Sequence, residues 1–139
     1  MSILVDTSVW SLALRRKLAP SSQEETLKHL ILDGQVKIIG PIRQELLSGI
    51  PNQKHFEALK SRLIYFPDTP IQTSDYELAA SFFNLCRQNG IQGSHIDFLI
   101  CAVAASNEFQ IYTTDKDFLS YRQHLPILLF EDNYPGASE

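Results

Sequence analysis

The stretch Ile3-Leu-Val-Asp-Thr-Ser-Val-Trp10 decides the fold of this chain. Residues 2–5 form a short apolar run without polar alternation, which is typical of a strand buried on both faces. Asp6, Thr7 and Ser8 are residue types that begin helices, and an apolar helical pattern follows them. The stretch therefore predicts a buried strand that leads directly into a helix, with an acid at the junction.

The alternation of strand and helix continues along the chain. Strand patterns recur over residues 36–39, 111–114 and 127–130, with helical patterns between them, while residues 64–66 fit either a short strand or the exit of the preceding helix. Parallel strands need a crossover, which is usually a helix, and the helices then cover the sheet. We therefore predict an α/β fold with a parallel sheet and a single domain over residues 1–132, followed by a frayed tail over residues 133–139.

Four acids, Asp6, Glu45, Asp97 and Asp115, lie where a predicted strand ends or a helix begins. Open parallel sheets bind ligands beyond the carboxyl ends of their strands, so these acids are expected to converge. Two carboxylates ~4 Å apart repel by about 4 kcal/mol at an effective dielectric near 20, which a cation would relieve. The pattern indicates a site for a divalent metal such as Mg²⁺, which activates water for attack on phosphodiesters.

Each acid also has a purely structural interpretation. Asp6 suits a helix cap, and Asp97 lies three residues after Ser94 at capping-box spacing. Asp115 suits a turn, and Glu45 suits an exposed helix surface. Only convergence of the four side chains would separate the metal site from these alternatives.

The charge and cysteine content restrict the function classes. The net charge of −4 lacks the basic footprint of most nucleic-acid binders, but the four proposed ligands account for all of it. Cys86 and Cys101 lie in apolar helical patterns without metal-ligand spacing, so buried reduced thiols are predicted rather than a zinc site or a disulfide. The apolar start is too short for a signal peptide or a membrane span, which predicts a cytoplasmic protein without membrane contact.

Four motifs, in order along the chain, resemble the acidic motifs of PIN-domain ribonucleases, specifically the small VapC toxins of toxin–antitoxin pairs. They carry Asp6, Glu45, Asp97 and Asp115 respectively, and they span most of the chain. The motifs are Ile3–Trp10, Pro41–Gly49, Gly93–Ala105 and Ile111–Phe118.

The resemblance implies a three-layer α/β/α sandwich with a parallel five-stranded sheet of order 3-2-1-4-5, in which strands 1 and 4 are neighbours. It also implies an endoribonuclease that depends on Mg²⁺ or Mn²⁺, a homodimer, and an antitoxin that covers the acidic cleft. By position, Asp6 and Asp97 would be metal ligands, and Glu45 and Asp115 would complete the catalytic acids.

Four further residues have supporting roles by the same resemblance. Thr114 matches a polar position that orients a ligand or water, and Asp117 either supports the ligands or shares the role of Asp115. Thr7 and Ser8 would hydrogen-bond the first carboxylate from the edge of the site.

Contacts with RNA are a separate hypothesis. A basic run, Arg15, Arg16 and Lys17, together with Arg43 and Lys116, lies close to the acids in sequence and could hold phosphates, although such a run is also an ordinary helix end. Trp10 could stack on a base, but its place in an apolar helical stripe favours the core.

Other classes of protein fit less well. A response-regulator receiver, which is a signalling module, also binds Mg²⁺ at strand ends, but it needs paired acids near strand 1 and a phosphorylatable aspartate after strand 3, where Asp68 is poorly placed. A haloacid-dehalogenase-type phosphatase needs an aspartate where Ser8 stands. An inactive binding module, or a PIN-fold ribonuclease outside any toxin–antitoxin pair, are the remaining alternatives.

Overall fold

A computed structural model describes residues 1–14 and 21–131. The basic run at residues 15–17 and the predicted tail at residues 133–139 lie outside the described residues. The strands are β1 (Ile3–Val5), β2 (Val36–Lys37), β3 (Gln110–Tyr112) and β4 (Leu128–Leu129). The helices are α1 (Thr7–Leu14), α2 (Ser22–Leu32), α3 (Gly40–Ser48), α4 (Gln53–Leu63), α5 (Thr73–Gln88), α6 (His95–Asn107) and α7 (Asp117–Arg122).

The described strands form one parallel sheet in the order β2-β1-β3-β4. The expected order 3-2-1-4-5 has one more strand, beside β2, and the expected strands 4 and 5 are β3 and β4 here. In place of that additional strand the structure has a single parallel bridge between Ile38 and Asp68. The amide of Thr69 donates to the carbonyl of Ile38 at 2.8 Å and fixes this edge. Residues 64–66 are the turn that follows α4, so the helix exit is the correct interpretation of that pattern.

Helices flank the sheet and produce the three-layer sandwich. α1 packs against α2 and α3, while α5 packs against α6, and α6 contacts β3. Because helices cover the sheet, Ile3, Leu4 and Val5 are all buried and β1 shows no polar alternation. The segment Phe98–Ala104 of α6 is buried throughout, which confirms the expected central helix.

Trp10 and Arg43, two candidates for contact with RNA, both contact other residues of the chain. Trp10 is 4% exposed, and its ring meets Phe66 edge to face at 5.3 Å, so the core interpretation is confirmed. The guanidinium of Arg43 donates to Asp68 Oδ1 at 2.9 Å, to the carbonyl of Leu63 at 3.0 Å and to the carbonyl of Phe66. Arg43 thus links the segment after α4 to α3, which gives it a structural role, and contact with RNA stays a hypothesis.

Two further features bear on function class. Cys86 and Cys101 are free thiols buried on α5 and α6, and burial raises the pKa of both, which disfavours the reactive thiolate. Among the helices of the described ranges, none combines the length and hydropathy needed to span a bilayer.

Candidate metal centre

The register between β1 and β3 creates the centre of the site. Val5 is paired with Tyr112, and the amide of Asp6 donates to the carbonyl of Tyr112 at 2.9 Å. Because the two strands are parallel, Asp6 and Thr113 leave the same edge of the sheet side by side. The Thr113 hydroxyl accordingly donates to Asp6 Oδ2 at 2.8 Å, across 107 positions of sequence.

Two hydroxyl groups hold the Asp6 carboxylate and the loop after β3 together. Ser8 Oγ donates to Asp6 Oδ2 at 2.9 Å and accepts from the amide of Thr114 at 3.0 Å. Thr113 Oγ1 accepts from the amide of Asp115 at 3.0 Å while it donates to the same oxygen of Asp6. Oδ1 of Asp6 is therefore the oxygen left for a ligand, as far as the described part of the chain shows.

These contacts refine the expectations for the hydroxyl residues. Ser8 bonds the first carboxylate, as expected. Thr114 contributes its backbone amide, whereas the side chain that orients the carboxylate is that of Thr113. A one-residue difference on extended backbone turns a side chain to the opposite side, which the sequence pattern alone does not resolve.

Asp97 enters the site from the first turn of α6. Ser94 caps that helix, and its hydroxyl oxygen accepts from the amide of Asp97 at 3.1 Å. Tyr121 on α7 donates its hydroxyl to Asp97 Oδ2 at 2.7 Å. The Tyr121 ring is fully buried between Phe98, at 4.8 Å between centroids, and Phe118, at 5.1 Å, so it holds the hydroxyl in one place.

Gly93 leaves the space that Tyr121 needs. A Cβ at this position would lie 2.4 Å from the Tyr121 hydroxyl oxygen and 2.9 Å from the Phe98 ring. Tyr121 lies 24 positions from Asp97 in sequence, so its contact with the carboxylate was not predicted. A glycine directly before a capping serine was the one available sign of a close approach.

Three carboxylates converge. Asp97, Asp115 and Asp117 each offer an oxygen within 4.8 Å of the other two. The amide of Asp117 donates to Asp115 Oδ1 at 2.9 Å, which fixes the turn that brings both acids to the cluster. Both acids of the Asp-Lys-Asp sequence therefore lie in the acidic group, and which of them would be the fourth ligand stays a prediction.

The electrostatics of Asp97 reflect this crowding. Burial is the main cause that raises the pKa of Asp97, and the charges of Asp6 and Asp115 raise it further. Hydrogen bonds from the Tyr121 and Ser94 hydroxyls act in the opposite direction and favour the ionised form. Asp6 is thus close enough to act on Asp97 electrostatically, although it lies outside the cluster of three.

Glu45 reaches the site indirectly. It is exposed on α3, and its Oε1 accepts a hydrogen bond of 2.6 Å from the hydroxyl of Thr7. Thr7 directly follows Asp6, so the contact brings α3 to the end of β1. Thr7 was expected to bond the first carboxylate, and it bonds the second acid instead.

The acidic group fits a hard divalent cation. Carboxylates and retained waters are the ligands that Mg²⁺ prefers, with bonds of about 2.0–2.1 Å, which places ligand oxygens roughly 2.9–4.1 Å apart in an octahedron. The oxygens of Asp97, Asp115 and Asp117 lie within 4.8 Å of one another, so small side-chain rotations or a bridging water would complete the shell. Burial and then the charges of Asp6 and Asp115 raise the pKa of Asp97, and a cation here would offset those charges.

Solved structures share the whole fold. FitAcB from Neisseria gonorrhoeae is 24% identical, with 93% of this chain and 96% of that chain aligned and a TM-score of 0.76. VapBC2 from Rickettsia felis, bound to a DNA fragment from its promoter, is 17% identical over 94% and 98% of the two chains, with a TM-score of 0.75. A toxin–antitoxin complex from Klebsiella pneumoniae is 15% identical over 99% and 97%, with a TM-score of 0.64.

The sequence comparisons identify the family. No curated protein matches the chain closely enough to count as a relative. The PIN domain model matches residues 3–123, which include all the acids described above. The chain therefore belongs to the PIN-domain family.

Proposed function

We propose that this protein is an endoribonuclease that depends on Mg²⁺ or Mn²⁺ and acts as the toxin of a toxin–antitoxin pair. The observation that carries the proposal is the convergence of Asp97, Asp115 and Asp117 beside Asp6, where β1 and β3 end. Membership of the PIN-domain family supports nuclease chemistry at this position.

The acids would bind the cation, and neighbouring residues would orient the carboxylates. Asp6 and Asp97 are the proposed principal ligands, Asp115 and Glu45 complete the catalytic acids, and Asp117 supports them. A bound Mg²⁺ would lower the pKa of a coordinated water and offset charge on the phosphoryl oxygens. Because the water is the nucleophile in this scheme, the chain needs to supply only carboxylates in fixed positions.

The hydroxyl groups around the site provide that fixation. Ser8 and Thr113 both donate to Asp6, and Tyr121 donates to Asp97, so each principal ligand has one oxygen held before any cation arrives. Carboxylates held in this way lose less freedom when they bind metal. The residues around the acids therefore suit a preformed site.

The biological role is inferred from the similar structures. The Klebsiella pneumoniae structure is a toxin–antitoxin complex, and the Rickettsia felis VapBC2 structure contains promoter DNA. By analogy, we propose a cognate antitoxin as the partner, RNA as the substrate, a homodimer as the assembly and the cytoplasm as the location. A receiver module is disfavoured because the carboxylate of Asp68 pairs with Arg43 instead of facing the acids.

Cleavage of RNA by the purified protein tests the nuclease activity. We expect cleavage of mixed cellular RNA with Mg²⁺ and none with a chelator. Asp97→Asn should lower the rate by roughly 100-fold or more, since it removes a proposed ligand rather than a neighbour of one. Glu77→Gln, an exposed acid on α5, is the matched control and should keep full activity. Cleavage that survives the chelator or Asp97→Asn would refute the metal mechanism.

Expression in bacteria tests the role as a toxin. The wild-type protein should arrest growth, Asp97→Asn should not, and a small protein encoded beside this gene should relieve the arrest when it is co-expressed. Metal-dependent RNA cleavage without growth arrest would instead indicate a PIN-fold ribonuclease outside any toxin–antitoxin pair.

A further inference from the structure

We propose that the cavity between the β3–α7 loop, α7 and the end of β4 binds the nucleotide next to the scissile phosphodiester. The inference rests on the proposed ribonuclease function and deepens it, because it names where the substrate strand continues beyond the acids. The cavity has a volume of about 220 Å³. This is below the roughly 300–1,000 Å³ of sites that enclose a drug-sized ligand, so it suits one unit of a longer chain.

The cavity shares walls with the acidic group. Asp115, a member of the converging carboxylates, lines it, and so does Thr113, which donates to Asp6. Adjacent phosphates of a strand are one nucleotide apart. A strand with one phosphate at the acids therefore has its neighbouring nucleotide within reach of this cavity.

Two cations line the cavity, and no described residue forms an ion pair with either. Lys116 and Arg122 are both exposed, and neither forms an ion pair with the residues that the structure describes. By contrast, Arg43 donates to Asp68 and to backbone carbonyls. Lysine and arginine side chains in this state are the groups that contact phosphate oxygens in nucleic-acid complexes.

The acids in the same cavity favour a strand over a free anion. Asp115 and Glu131 also line it, so a lone phosphate would meet negative charge as well as Lys116 and Arg122. A nucleotide that is covalently continuous with a phosphate held at the metal-binding acids has a second attachment point. The charge arrangement therefore suits a polynucleotide and penalises small anions.

The remaining wall is apolar and suits a base or ribose. Leu119 is 48% exposed on α7, although its neighbours Phe118 and Tyr121 are buried, and it faces the cavity with Leu129 and Phe130. Single-stranded RNA is bound by such combinations of cations and apolar or aromatic surfaces. The cavity thus combines a phosphate contact with a surface for the attached nucleoside.

RNA binding by variants tests the cavity directly. A fluorescein-labelled 20-nucleotide RNA of random sequence is titrated with the Asp97→Asn protein and Mg²⁺, so that bound RNA is not cleaved. Adding Lys116→Ala and Arg122→Ala should weaken binding about tenfold or more, the scale of one charge-assisted hydrogen bond. The slope of log affinity against log salt should become shallower by about 0.7 for each phosphate contact removed. Lys28→Ala with Lys60→Ala, exposed lysines on α2 and α4, is the matched control and should change neither.

A second variant tests the apolar wall. Leu119→Glu places a negative charge in the cavity and should weaken RNA binding, while Leu32→Glu, at an 83% exposed leucine on α2, should not. In the active protein, the Lys116 and Arg122 changes should raise KM more than they lower kcat, because they remove binding common to substrate and transition state.

The outcomes separate this inference from the proposed function. If the wild-type protein neither binds nor cleaves RNA, the proposed function and the cavity assignment both fail. If it cleaves RNA but the Lys116 and Arg122 double variant matches the lysine control in affinity and salt slope, the cavity assignment is overturned while the nuclease stands.

Discussion

Tyr121→Phe should weaken metal binding without damaging the fold. The substitution removes the hydroxyl group that donates to Asp97 Oδ2 at 2.7 Å and keeps the ring that packs against Phe98 and Phe118. A hydrogen bond to a charged group contributes about 1.5–3 kcal/mol, and its loss falls on the ionised form of Asp97 that a cation requires. Metal affinity should therefore fall by roughly 10- to 100-fold, as for other residues that orient metal ligands.

The pH dependence gives this prediction a second measurable consequence. The Tyr121 hydroxyl lowers the pKa of Asp97, whereas burial and the charges of Asp6 and Asp115 raise it. Without the hydroxyl, the pKa of Asp97 rises further, so protons compete more strongly with metal. The loss of affinity in Tyr121→Phe should therefore grow as the pH falls.

Isothermal titration with Mn²⁺ at several pH values measures both effects. Tyr65→Phe is the matched control because the Tyr65 side chain is 82% exposed. Gly93→Ala should resemble Tyr121→Phe, since its Cβ would lie 2.4 Å from the Tyr121 hydroxyl oxygen and displace it. Unchanged Mn²⁺ affinity and an unchanged pH profile in Tyr121→Phe would refute the role assigned to the hydroxyl.

Three further predictions follow from single contacts. Arg43→Ala should lower the free energy of unfolding by about 2–4 kcal/mol in urea titrations, because it leaves Asp68 and two backbone carbonyls without their donor. Thr113→Val should reduce RNA cleavage by about 10- to 100-fold, whereas Thr114→Val should have a much smaller effect, since Thr114 acts through its backbone amide. Mg²⁺ at 100 times its Kd should add about 2.7 kcal/mol to the free energy of unfolding of the wild-type protein and so raise its melting temperature. This gain should be lost in Asp97→Asn.

Each of these has its own control or contrary result. Arg62→Ala, an exposed arginine on α4, should leave stability nearly unchanged, and loss of RNA binding at full stability in Arg43→Ala would restore the RNA-contact hypothesis. Equal effects of the two threonine substitutions would contradict the assignment of the carboxylate contact to Thr113. A melting temperature that responds to Mg²⁺ equally in Asp97→Asn would place the cation elsewhere.

Local pattern was sufficient for the class of fold, and it singled out the acids that are proposed as ligands. Ile3–Val5 and Phe98–Ala104 are apolar without interruption, and that is the signature of elements covered on all sides. The parallel direction of the strands follows from the helical crossovers between them. The end of β1 and the head of α6 were therefore predictable as the places of Asp6 and Asp97, whereas Asp115 lies in the loop beyond Tyr112, where β3 ends.

Tertiary structure alone decided which side chains touch. Thr113 bonds Asp6 across 107 positions and Tyr121 bonds Asp97 across 24, and both contacts depend on sheet register and helix packing rather than on local propensity. The guanidinium of Arg43 donates to the carbonyl of Leu63 at the end of α4, and no local sequence signal predicts this contact. Sequence determined that acids stand at strand ends and helix starts, because backbone geometry is a local property. Only the packed structure determined that Asp97, Asp115 and Asp117 converge, with Asp6 and Glu45 outside that cluster and Glu45 hydrogen-bonded to Thr7. Convergence depends on the long-range pairing of strands and on the hydroxyl groups that this pairing brings into contact with the carboxylates.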